Sequence, residues 1–288
     1  MTGLTPSVTV DRRARLLQFG ALIAAALVLS LSAFSTGARA AESDPTIVLV
    51  HGAFASPAGW SRVADALHKD GYRTATPALG LESVAGDVAI VRSTLDSIPG
   101  DKILVGHSYG GFVITNAASG RTDVRGLVYT AAYVPDGGET ITNLSVGYAP
   151  GAFLTHLVFV APPSPFAIVN PQNFPEDFAQ DLNPKLGAEI AAQQRPTSLF
   201  LFGTPSGPAA WHALPSWYAV SAHDRAIDPA LQRFMAKRAG STTVQFSAAS
   251  HVGGLTHYAA RFVKLIEQAI DATATGAASS SRSTTGQR

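Results

Sequence analysis

Four short runs along the chain are almost continuously apolar: residues 46–50 (TIVLV), 102–105 (KILV), 125–130 (RGLVYT) and 217–220 (WYAV). Runs of this kind fit strands buried on both faces, as in a parallel sheet, better than half-exposed strands, which would alternate. Between and after them, apolar residues fall at helical spacing. Trp60, Val63, Ala64 and Leu67 form one set, Leu231, Phe234 and Met235 a second, and Ala259, Phe262, Val263, Ile266 and Ile270 a third. Residues 242–246 (TTVQF) read as a final strand before that last helix. The alternation predicts an α/β fold: a mostly parallel sheet with helices on both faces, wound through right-handed βαβ units.

Over residues 134–215 the alternation fails. This stretch is rich in proline, carries Phe153, Phe159, Phe166, Phe174, Phe178 and Trp211, and shows one clear helical run near residues 184–194. A structureless connection of that length is uncommon in a compact domain, so an apolar insertion after a strand reads as a cap over a cavity.

The two ends read differently. Arg12, Arg13 and Arg15 precede an apolar run over residues 19–34, and Ala38 and Ala40 place small residues before Ala41. That order is the pattern of a secretory signal over residues 1–40, cleaved before Ala41, and it predicts a secreted or periplasmic protein. Asp11, Leu16 and Leu17 fit a twin-arginine signal imperfectly, so the sequence does not choose between the two export routes. The apolar run is shorter than the roughly 20 residues of a membrane span, so no stable span is expected in the mature form. Residues 41–271 then suit one domain, and residues 272–288, nearly all Ala, Ser, Thr, Gly and Arg, are expected to be a disordered tail.

Composition narrows the chemistry. With 21 Lys and Arg against 20 Asp and Glu there is no basic field for nucleic acid or an anionic membrane. With no cysteine, thiol nucleophiles, thiolate metal sites and disulfides are excluded, and a nucleophile must be oxygen or nitrogen.

Residues 102–105 run directly into Gly106, His107, Ser108, Tyr109, Gly110 and Gly111 and then into FVITNAAS. Strand, GxSxG and helix in that order present a serine on a sharp turn at a helix N-terminus, with glycines where strand and helix approach. Ser108 is the candidate nucleophile. A hydroxyl needs a base, and the base needs a carboxylate to hold its tautomer. Of eight histidines, His251 lies in the loop SHVGG after the final strand, whereas His257 reads as part of the closing helix and His51 and His107 as structural. Asp224 follows the strand at residues 217–220 and precedes His251 by one helix and one strand. Asp228, beside Pro229, reads as a helix cap, and Asp136, after the strand at residues 125–130, is the rival acid. Donors for a developing oxyanion are expected from the backbone of Tyr109 and, in HGAF after the first strand, of Ala53.

With these segments the chain resembles the alpha/beta-hydrolase superfamily, and within it the group of plant methyl-ester esterases of the salicylate-binding type, hydroxynitrile lyases and related bacterial esterases. The resemblance rests on VLVHGAF at residues 48–54 with Trp60, VGHSYGG at 105–111, YVPDG at 133–137, HDRAIDPALQRFMAKRAG at 223–240 and SHVGGL at 250–255. It implies Ser108, Asp224 and His251 as a triad, Ala53 and Tyr109 as oxyanion donors, and neither metal nor organic cofactor. One lyase branch has lysine where this chain has Val252, and another has asparagine where it has Gly52. Both departures favour ester hydrolysis, expected to run through an acyl-enzyme, and the aromatic and apolar cap suggests small or medium apolar esters as substrates. Lyase or perhydrolase (haloperoxidase-type) activity, and a non-catalytic small-molecule binder on the same fold, are the alternatives; oligomeric state is not legible.

Overall fold

The computed structural model describes residues 44–283, with side chains described as far as residue 274. In chain order the elements are β1 (Thr46–Val50), α1 (Ser61–Lys69), β2 (Thr74–Ala75), α2 (Val84–Ser97), β3 (Lys102–His107), α3 (Tyr109–Ala117), β4 (Val124–Thr130), α4 (Ile141–Leu144), β5 (Leu157–Phe159), β6 (Phe166–Val169), α5 (Phe174–Phe178), α6 (Pro184–Ala191), β7 (Thr197–Ser198), β8 (Ser216–Ser221), α7 (Pro229–Arg238), β9 (Thr242–Phe246) and α8 (Ala259–Ser283).

Six strands form one parallel sheet in the order β2-β1-β3-β4-β8-β9. Successive side chains of a strand point to opposite faces, and both faces here are apolar. Ile47, Leu49, Ile103, Val105 and Val128 pack with Trp60, Val63 and Leu67 and with Phe262 and Ile266 of α8. Val48, Val50, Leu104, Leu127 and Tyr129 pack with Val91 and Leu95 of α2, Phe112 of α3 and Met235 of α7. Helices therefore cover both faces, as the apolar runs require.

The winding direction reverses between β1 and β3, which are neighbours in register with Val50 opposite Gly106. The crevice beyond the carboxyl ends of strands at such a switch point is where open α/β sheets bind ligands. The loops beginning at His51 and Ser108 emerge there side by side.

Between β4 and β8 lies the cap, with short helices and a three-stranded antiparallel sheet, β5-β6-β7. Its own apolar cluster joins Phe153, Val169, Phe174 and Phe178 to Phe54, Ala226 and Val252 of the sheet-end loops. Besides β2 and the short elements of the cap, two helices depart from the sequence reading. Helix α2, capped by Ser83 through the Gly86 N–H, went unread because its buried stripe of Val84, Asp87, Val91 and Leu95 includes a carboxylate. The expected disorder from Ala272 is corrected as far as Ser283, where α8 ends. The helix is nucleated upstream by the packing of Phe262, Val263, Ile266 and Ile270, and adding residues to a formed helix needs no new nucleus. The expected signal segment, residues 1–40, lies outside the described residues. Among them no helix is long and apolar enough to cross a membrane.

Candidate active site

Ser108 occupies the junction of β3 and α3 with φ 55° and ψ −126°. A non-glycine residue in that region costs on the order of 1–3 kcal/mol and persists only where its surroundings over-determine it. Here three backbone bonds do so. The Ser108 N–H donates to the Thr130 carbonyl, and the Ser108 carbonyl accepts from the Gly111 and Tyr133 N–H groups. The flanking glycines are required by contact: a Cβ on Gly106 would lie 2.7 Å from the Gly111 backbone, and one on Gly110 would lie 2.2 Å from the Val50 carbonyl oxygen. The serine is thus raised at the start of a helix, where unpaired N–H groups and the helix dipole favour negative charge.

Asp224, in the loop after β8, is the most fully hydrogen-bonded carboxyl of the site. Oδ1 accepts from the Ala226 and Ile227 N–H groups at 2.7 and 3.0 Å, and Oδ2 accepts from Gln232 Nε2 at 2.7 Å. Oδ2 also lies 2.8 Å from His251 Nδ1, with the two side chains 0% and 1% exposed. Because the carboxylate accepts from every other partner, Nδ1 carries the proton and donates, which leaves Nε2 as the unprotonated nitrogen. The backbone of His251 is held as well. His107 Nε2 donates to its carbonyl at 3.0 Å, and burial keeps His107 well below the ordinary histidine pKa, so this donor is a neutral ring.

Ser108 lines a small cavity with Ala53, Phe54, Tyr109, Tyr133 and Phe178. His251 lines an adjoining cavity that shares Ala53, Phe54 and Phe178. On the other side the Ser108 cavity shares Tyr133, Phe153, Phe202, Ala226 and Ile227 with an apolar cavity of about 320 Å³ under the cap. The geometry therefore gathers Ala53, Ser108, Tyr109, Asp224 and His251 at one end of the sheet.

A buried polar layer lies behind the Ala53 and Tyr109 amides. Leu79 N–H donates to His51 Nε2, so the His51 proton sits on Nδ1 and is donated to the Gly52 carbonyl at 2.9 Å. A trans peptide sets its N–H opposite its carbonyl, so this bond fixes the direction of the Ala53 N–H. Burial lowers the His51 pKa to about 4. The next amide, Phe54 N–H, donates to Thr197 Oγ1 of β7 at 2.8 Å. On the α3 side the Tyr109 hydroxyl donates to Asp87 Oδ2 at 2.8 Å, while Oδ1 accepts from the Leu81 N–H. Burial raises the Asp87 pKa.

The competing residues lie elsewhere. Asp136 pairs with the exposed His212 at 2.9 Å, and Asp228 caps α7 through the Ala230 N–H. His257 sits in the turn before α8 rather than in the helix, its Nδ1 3.5 Å from Asp181 Oδ2. The sequence reading missed Gln232, Asp87, His51 as an orienting group, Thr197 and Asp181. Gln232, eight residues after Asp224 and at the helical position that faces back to it, had a usable signal; His51 and Asp87 each have one near neighbour, Gly52 and Leu81, but their other partners, like the site partners of Thr197 and Asp181, reach them only through the tertiary fold. Among the described residues no group of three or more His, Asp and Glu is placed to hold a metal ion.

Comparison with known proteins places these observations. The model of the Alpha/beta hydrolase family matches residues 47–265. The chain is 40% identical over 111 residues to a carbendazim hydrolyzing esterase of Nocardioides sp. (strain SG-4G), a match spanning 34% of this chain and 46% of that enzyme's length. It is 24% identical over 215 residues to an alpha/beta hydrolase of Aspergillus novofumigatus, covering 67% of this chain and 84% of that one. Among solved structures it is similar to a pyrethroid hydrolase from Sphingobium faniae JZ-2, with TM-score 0.68, 24% identity and coverage of 80% of this chain and 99% of that one. It is also similar to an extracellular alpha/beta-hydrolase from a Paenibacillus species, with TM-score 0.65, 17% identity and coverage of 78% and 98%.

Proposed function

The chain belongs to the alpha/beta hydrolase family, and from that premise we propose that it is an exported serine carboxylic ester hydrolase with Ser108, His251 and Asp224 as its triad. The observation that carries the reading is the buried 2.8 Å contact of His251 Nδ1 with Asp224, at the end of the sheet where Ser108 stands on its strained turn. Ser108 Oγ attacks the ester carbonyl and its proton passes to His251 Nε2, while the carbonyl oxygen takes up the negative charge against the Ala53 and Tyr109 amides. The carbon–oxygen bond to the alcohol then breaks as His251 returns the proton to the departing oxygen. Water, deprotonated by the same imidazole, attacks the acyl-enzyme and restores Ser108.

The apolar walls of the cavities support small or medium apolar esters as substrates. Export is supported by the signal-like first 40 residues and by similarity to a protein described as extracellular. Hydroxynitrile lyase activity is disfavoured at Gly52, where a Cβ would lie 2.7 Å from that of Ser108, so the asparagine of one lyase branch would crowd the nucleophile. The test is Ser108→Ala. Turnover of p-nitrophenyl esters is expected to fall by several orders of magnitude with the circular dichroism spectrum unchanged, and fluorophosphonate labelling of the wild type is expected to map to Ser108. Retained turnover in the variant overturns the assignment; no labelling, with ligand binding intact, points to a binder; mandelonitrile cleavage without ester cleavage points to a lyase.

A further inference from the structure

Four residues of the cap, from Phe178 at the end of α5 to Asp181, reach both loops that carry the base and the acid. Asp181 Oδ2 accepts the Ser250 N–H at 2.7 Å, and the Phe178 carbonyl accepts the Val252 N–H at 3.1 Å. The residues on either side of His251 are therefore both held by the cap. Gln180 Nε2 donates to the His223 carbonyl, immediately before Asp224. The Phe178 ring meets the His251 imidazole edge-on, with centroids 5.1 Å apart and an interplanar angle of 73°. The fit is close, since a Cβ on Gly253 would lie 3.0 Å from Asp181 Oδ2.

The loop between β9 and α8 contains one short 3₁₀ turn, over Gly253–Leu255, and before it a turn closed by the Gly253 N–H on the Ser250 carbonyl, which brackets His251. The sheet end holds the His251 carbonyl through His107 and the ring through Asp224; the N–H groups of Ser250 and Val252, on either side of His251, are held by the cap. We propose that Asp181 is a positioning residue which, acting through the Ser250 amide, sets the His251 imidazole against Ser108, so that the base is in register only while the cap segment 178–181 is seated. Gln180 does the same for Asp224 through His223. This inference rests on the triad assignment above. Displacement of about an ångström in a catalytic group can cost on the order of 100-fold in rate, so a carboxylate that never touches substrate can control turnover.

The experiment compares Asp181→Ala, Asp181→Asn, Gln180→Ala and His257→Gln in the full chain, by steady-state hydrolysis of p-nitrophenyl butyrate and by the downfield proton resonance of His251 Nδ1–H. Asp181→Ala is expected to lower kcat about 10- to 100-fold with KM changed less than about 3-fold, and to shift or broaden the resonance. Asp181→Asn, whose amide oxygen can accept the same N–H, is expected to recover most of the loss in both readouts. His257→Gln is expected to match the wild type, which separates the Ser250 bond from the Asp181–His257 contact. Wild-type kcat and resonance in Asp181→Ala overturn the proposal. So does an Asp181→Asn variant as slow as Asp181→Ala, which would assign the effect to charge. If Asp181→Ala does not fold, Gln180→Ala decides, because its side chain is only half-buried; a roughly 3- to 10-fold loss of kcat supports the cap hold and wild-type kcat overturns it. If the wild type cleaves no ester, the ester hydrolase reading fails, while the resonance still decides whether the cap orients His251.

Discussion

In the sheet, every residue of β1 and β3 is buried and each of these strands is paired on both sides; in the cap, β5 is an edge strand that leaves Val158 and Phe159 about half exposed. The sheet is placed by continuous apolar burial on both faces. The cap is placed by a small aromatic cluster and by hydrogen bonds to loops that belong to the sheet, from Thr197, Phe178, Gln180 and Asp181. The difference separates two tasks. A rigid parallel sheet can present a strained serine and a buried carboxylate without adjustment, whereas a lightly built cap can form an apolar chamber and still reach the loops that hold Asp224 and His251.

Substitutions on the two sides should therefore differ in size and in kind. The largest effect is expected at the sheet end: Asp224→Asn should lower kcat by about 10⁴-fold with the fold intact, because an amide does not hold the Nδ1–H tautomer of His251, as steady-state kinetics would show. Gln232→Ala comes next. It removes a donor to Asp224 Oδ2 and to the Ile227 carbonyl, and an acceptor for the Ser221 N–H. Leaving these buried groups unpaired should cost about 2–3 kcal/mol, readable as a shift in the urea midpoint.

The pH dependence of stability sharpens the contrast, since the low-pKa histidines lie in the sheet-end layer. His51 titrates at about 4 when folded against 6.5 when unfolded, so the unfolded chain takes up the proton first as pH falls. The contribution is complete above pH 6.5 and is lost between 6.5 and 4, amounting to about 3 kcal/mol, with His107 acting in the same direction. Urea midpoints at pH 7 and pH 4.5 would show it, and a variant His51→Gln should flatten the slope. The smallest effect is expected in the cap. Leu154, half exposed at the wall of the 320 Å³ cavity, should on truncation to alanine change stability by no more than about 0.5 kcal/mol and act on KM for bulky esters rather than on kcat. A large loss of kcat there would break the division of tasks.

The same contrast explains what was legible in the chain. Strand β1 matches the residues read from the sequence, and β3, β4 and β8 extend their apolar runs by one or two residues, because burial on both faces writes itself into local composition; β9, a largely exposed edge strand, matches as well. The turn at Ser108 is legible through its GxSxG pattern, although only Gly106 answers to a local contact, the Gly111 backbone, while Gly110 answers to the Val50 carbonyl of the neighbouring strand. The cap strands, two to four residues long, carry too little pattern to be read. Asp181 and Ser250 are 69 residues apart, and Tyr109 and Asp87 are 22 apart. Such bonds exist only once the chain is folded, and nothing near either partner announces them.

In the proposed reaction Ser108 carries the acyl group between two proton transfers at His251. Rapid acid quench of the enzyme during turnover of a slowly deacylated p-nitrophenyl ester, followed by digestion and mass spectrometry, tests it directly. An acyl adduct on the peptide that contains Ser108, absent from Ser108→Ala, is the predicted result; an adduct on another residue, or turnover through no covalent species at all, would contradict it.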